Sequence, residues 1–79
     1  MTNREKYDAA FMETFAIEKN KLTGLEYMSI PEWDSVGHMS LIAELEDSFE
    51  ITMDTDDIID LSSYEKGIEI LKETYKIEI

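Results

Sequence analysis

Apolar residues recur at helical spacing in three separate stretches of this 79-residue chain, and a chain so short has room for little beyond the helices they make. Tyr7, Phe11 and Phe15 fall every fourth residue with Ala10 beside them, which predicts an amphipathic helix from about Arg4 to Lys19. Asp34 can offer its carboxylate to the free amides of a first turn, and Ser35 to Phe49 holds no proline and only one glycine, so a second helix is expected there. Asp54 or Thr55 caps a short third helix through Ile58, Ile59 and Leu61. Ser62 or Ser63 caps a fourth, with Tyr64, Ile68, Leu71 and Tyr75 as its buried stripe. Strand signals are brief: Phe49 to Met53 alternates weakly, and Lys76 to Ile79 alternates without an obvious partner. The expectation is an all-α fold, a four-helix bundle of three longer helices and one short third helix, in a single domain over residues 1–79.

Two further features refine that picture. Asn20 to Trp33 breaks the helical period with Gly24 and Pro31, yet carries Leu22, Leu25, Tyr27, Met28 and Ile30, too much apolar surface for a free linker. It reads as a long loop packed against the bundle. The second helix has two apolar faces: Ile42, Leu45 and Phe49 with Leu41 and His38 flanking, and separately Val36, Met39 and Ala43. Only one can face the centre of the core.

Charge is distributed unevenly. No Lys or Arg occurs between Lys21 and Lys66, while that interval holds Glu26, Glu32, Asp34, Glu44, Glu46, Asp47, Glu50, Asp54, Asp56, Asp57, Asp60 and Glu65; the flanks balance, so the net charge of −12 sits in the middle of the chain. Such a field repels nucleic acid and anionic lipid and steers the domain toward basic protein surfaces. There is no cysteine, which excludes disulfides and thiolate chemistry, and no apolar run long enough for a signal peptide or membrane span. A cytoplasmic monomer without membrane insertion is expected.

Ser35 is the residue whose chemistry needs an account. A nucleophilic serine requires a base within reach and an orienting group behind it, and the only histidine, His38, lies one turn along; the flanks lack a Gly-x-Ser-x-Gly elbow. No catalytic residue is assigned. His38 reads as a part-buried, hydrogen-bonded packing residue, with Trp33 packing near it as a hydrophobic staple. Asp54, Asp56 and Glu65 sit at calcium-loop spacing, but Ile59 stands where the loop's sharp turn needs glycine, so no metal site is assigned. Ser35 is better suited to be an acceptor: a phosphodiester at the start of a helix meets unpaired backbone amides and the positive end of the dipole. Gly37, having no side chain, is expected to let a modifying enzyme or the attached group approach the backbone.

Trp33-Asp34-Ser35-Val36-Gly37-His38-Met39, followed by Leu41-Ile42-Ala43-Glu44-Leu45-Glu46-Asp47-Ser48-Phe49, resembles the 4'-phosphopantetheine attachment region of acyl carrier proteins. The resemblance extends to chain length, helix order and the acidic second helix, and departs from the commonest pattern at Val36 and Gly37, where leucine and aspartate are more usual. It implies that Ser35 bears the arm, transferred from coenzyme A by a holo-carrier-protein synthase. Val36, Met39 and Ala43 would form an apolar docking strip. Asp34, Glu44, Glu46, Asp47 and Glu50 would be the acids meeting Lys and Arg on acyl-loading, acyl-transfer or condensing enzymes. Ile42, Leu45, Ile58, Ile59 and Leu71 would line an apolar space for an acyl chain. The protein would then be a thioester carrier in fatty acid or a specialised acyl pathway, not an enzyme. An aminoacyl or peptidyl carrier, the D-alanyl kind included, and an unmodified acidic interaction module are the alternatives.

Overall fold

Helix α1, Asn3–Phe15, begins at Thr2, whose hydroxyl accepts from the Glu5 amide while the Glu5 carboxylate accepts from the Thr2 amide, so two otherwise orphaned donors are satisfied reciprocally. The computed structural model describes every residue from Met1 to Ile79. α1 stops well short of Lys19 because Ala16 turns left-handed (φ 53°), and the amides of Ala16 and Ile17 both donate to the Met12 carbonyl. This closes the last turn as a Schellman-type cap does. A single 3-10 turn, Lys19–Lys21, follows.

Helix α2, Ser35–Phe49, starts on Asp34, whose Oδ1 accepts from the Gly37 amide at 2.8 Å. It ends as α1 does: Glu50 is left-handed (φ 53°), and the Glu50 and Ile51 amides donate to the Glu46 carbonyl. Helix α3, Thr55–Asp60, is one and a half turns long, and Asp54 gives it no side-chain cap. Helix α4, Tyr64–Glu73, starts on Ser63, whose hydroxyl accepts from the Lys66 amide. The chain is therefore all-helical with four helices and no strand; the two alternating stretches pair with nothing, and a lone Glu26–Ser63 bridge is the one extended pairing.

α1 and α2 make the main helix–helix contact, and the core between the helices is strongly aromatic. Tyr7, Phe11 and Phe15 bury the stripe expected of α1, and Trp33 stacks on Phe15 at 5.3 Å and meets Phe11 edge-on at 5.5 Å. Trp33 is thus the largest core side chain, well beyond the staple expected of it. At the other end Tyr64 donates to the buried Asp8 carboxylate, and Tyr7 donates to the Tyr64 carbonyl at 2.7 Å. Gly67 permits this packing, since a Cβ there would lie 2.1 Å from the Tyr7 hydroxyl. Tyr75 lies beyond α4, not on its stripe. Its hydroxyl accepts from the Asp54 amide at 2.8 Å and donates to Asp57 Oδ2 at 2.7 Å, supplying from a distance the cap that α3 lacks.

The α1–α2 connection is a packed loop. Leu22 and Leu25 are buried, and the loop is tied to the α3–α4 junction: the Tyr27 amide donates to the Ser62 carbonyl, the Tyr64 amide to the Leu25 carbonyl, and the Gly24 amide to Glu65 Oε2. Those bonds bring Tyr27 beside α3 and create the site described next.

Candidate functional site

Ser35 is the first residue of α2 and is exposed. Asp34 satisfies the Gly37 amide, and the Asp34 carbonyl takes the His38 amide, which leaves the amides of Ser35 and Val36 without a partner in the helix. An anionic group on the Ser35 hydroxyl would lie against those donors and the positive end of a 15-residue helix.

An apolar groove of about 360 Å³ opens beside this serine. Ser35, His38 and Met39 line it from α2, Ile58 and Ile59 from α3, and Tyr27, Leu61 and Ser62 from the flanking loops. It is open to solvent, for Met39 is 55% and Ile59 71% exposed. Of the five residues expected to line an acyl space, Ile58 and Ile59 do so. Ile42, Leu45 and Leu71 do not: at 2%, 0% and 0% exposure they are sealed in the core. A helical wheel shows which face a residue is on but not how deep the neighbouring element buries it. Tyr27, His38, Leu61 and Ser62 were not expected in the groove. The places of Tyr27, Leu61 and Ser62 depend on the hydrogen bonds between the loop and the α3–α4 junction, and that of His38 on its bonds to Trp33 and Ile58; no short-range pattern in the sequence is a signal for either.

His38 spans the gap between α2 and α3. The Trp33 indole can only donate, and it donates to Nδ1 at 3.0 Å, so Nε2 carries the ring proton and donates to the Ile58 carbonyl at 2.7 Å. The ring lies nearly coplanar with the indole, edge to edge across that bond, and takes the Tyr27 ring edge-on at 5.5 Å. With both nitrogens occupied, it has no lone pair to offer Ser35 as a base.

The second apolar face of α2 is free: Val36 (75% exposed), Met39 and Ala43 lie on the surface of the helix that Ser35 begins. Among the acids, Asp34, Glu44, Asp47 and Glu50 are exposed. Glu46 is half-buried and its Oε2 accepts from the Met53 amide at 2.8 Å, so it holds the turn after α2 and is not a free docking charge. Gly37 also serves the fold and not access: a Cβ there would fall 1.9 Å from the Glu32 carbonyl oxygen and 3.3 Å from the Phe15 ring, so its bareness admits the loop that carries Trp33. The only ion pair joins Lys66 and Glu69 at 3.4 Å, leaving the acids of the middle of the chain uncompensated.

Comparison with protein-family models, curated proteins and solved structures returned no match. No helix is long and apolar enough to cross a membrane. The fold and site together define a small all-α protein with a surface serine at the mouth of an apolar groove.

Proposed function

We propose that this chain is an acyl carrier protein whose Ser35 hydroxyl receives a 4'-phosphopantetheine arm from coenzyme A. One observation carries the reading: an exposed serine with unpartnered helix amides opens onto an apolar groove, while the only histidine is engaged elsewhere. That combination suits a hydroxyl that is modified and then has cargo beside it. It does not suit a hydroxyl that attacks a substrate. The arm would supply a terminal thiol on which an acyl group is held as a thioester. The chain's own part is to present it: Val36, Met39 and Ala43 offer an apolar contact strip, and Asp34, Glu44, Asp47 and Glu50 surround it with negative charge for Lys and Arg of a synthase and of acyl-loading, transfer or condensing enzymes.

Intact mass after incubation with coenzyme A and a broad-specificity holo-carrier-protein synthase tests the reading. The chain should gain one phosphopantetheine, and Ser35→Ala should gain none while keeping its helical circular dichroism, because the side chain is exposed and the Asp34 cap is untouched. An unmodified wild-type chain would sink the proposal and favour an acidic module that docks without an arm. Transfer of an amino acid instead of an acyl group to the loaded arm would assign the aminoacyl class.

A further inference from the structure

The His38 ring lines the groove beside Ser35 and reaches from α2 to the backbone of α3. One edge of the ring is bonded to the Trp33 indole, itself fixed between Phe11 and Phe15, and the other to the Ile58 backbone. Ile42 and Leu45, about one and two turns further along the same side of α2, are sealed in the core. A histidine held at both nitrogens cannot swing aside without leaving a buried indole donor and a carbonyl acceptor unpaired. At about 360 Å³ the groove is at the small end of ligand pockets and open on one side.

We infer that His38 is a specificity-determining residue: it bars the cleft between α2 and α3, so the groove shelters a short apolar group and refuses a long-chain acyl group entry to the core. The cargo of Ser35 is accordingly a short acyl chain, or one whose distal part stays in solvent. The nature of the cargo rests on the carrier reading above; the bar itself does not.

Two measurements separate the two claims. First, the unmodified wild-type and His38→Ala chains are titrated with Nile red, a neutral apolar dye that the acidic surface does not repel. The variant should bind about tenfold more tightly, the gain expected from burying roughly two more methylenes' worth of apolar surface. Equal affinity in a folded variant overturns the bar, whether or not Ser35 is ever modified. Second, Ser35 is loaded with acetyl-, butanoyl-, octanoyl- and dodecanoyl-phosphopantetheine, and the Tm of each product is read. In wild type the Tm should rise over the short chains and then level, while in His38→Ala it should keep rising. A wild-type Tm that climbs through dodecanoyl overturns the inference even if the variant fails to fold, and so does one that responds to no chain at all. Failure to load Ser35 by the synthase refutes the carrier reading and leaves the dye result standing on its own.

Discussion

Single positions in this chain are constrained by close approaches that act in opposite directions. Gly37→Ala should destabilise the fold by about 1–3 kcal/mol, since the new methyl group must displace the Glu32 carbonyl and with it the Trp33 segment; urea unfolding measures the loss. Ala16→Gly should do the reverse. Ala16 holds a left-handed conformation on the surface, and relieving its Cβ strain should raise stability by about 1 kcal/mol in the same assay. Tyr64 sets the response to alkali. Burial first, and then its hydrogen bond to Asp8, push its hydroxyl from 10 up to about 12, and burial drives Tyr7 upward as well. The folded state therefore holds these protons more tightly than the unfolded state. The stability Tyr64 confers is present in full below pH 10 and is lost as pH climbs from 10 to about 12, while the share of Tyr7, pushed up further by its deeper burial, is lost only at still higher pH. Tyr64→Phe should flatten that decline, while costing about 1–3 kcal/mol at neutral pH by leaving the buried Asp8 carboxylate without its donor.

Among the elements, α3 is held least by its own sequence. It has six residues, none of them fully buried, and no side-chain cap. Its anchors come from elsewhere: the Tyr75 hydroxyl at its start and His38 on the Ile58 carbonyl. Tyr75→Phe should remove both bonds at the N-terminal end, at a cost of about 1 kcal/mol. Amide exchange should report it as faster exchange at Ile58 and Leu61, which donate to the Asp54 and Asp57 carbonyls at the two ends of α3, with α1 unchanged; equal protection across the molecule would mean that packing alone holds the helix.

At the scale of the whole molecule, the acidic charge proposed to steer docking also opposes the fold. With a net charge of −12 and a single ion pair among its side chains, the protein should gain Tm in moderate salt, which screens repulsion among the acids, and scanning calorimetry across ionic strengths checks this. Glu44→Lys with Asp47→Lys should slow loading of Ser35 by about tenfold at low salt, with the deficit shrinking as salt is added and the Tm hardly changing, since both side chains are exposed. Glu46→Lys belongs outside that test, for it would break the bond to the Met53 amide and alter the fold.

What the sequence by itself determined was local: helical spacing placed the four helices, Asp34 and the Ser62–Ser63 pair marked two starts, and Val36, Met39 and Ala43 were legible as a strip separate from the face centred on Ile42 and Leu45. These follow from contacts within a few residues, where spacing is geometry. Depth and long-range pairing were decided by the tertiary structure. Ala16 and Glu50 ended helices without a glycine to announce it, Tyr75 became a cap for a helix some twenty residues earlier, and Gly37 turned inward to admit a loop. Ile42, Leu45 and Leu71 went to the core, while Tyr27, Leu61 and Ser62 took the groove. The part-buried packing role of His38 was readable, but its bridge from Trp33 to Ile58 was not, because a hydrogen bond across twenty residues depends on how the helices pack and not on what lies beside it in the chain.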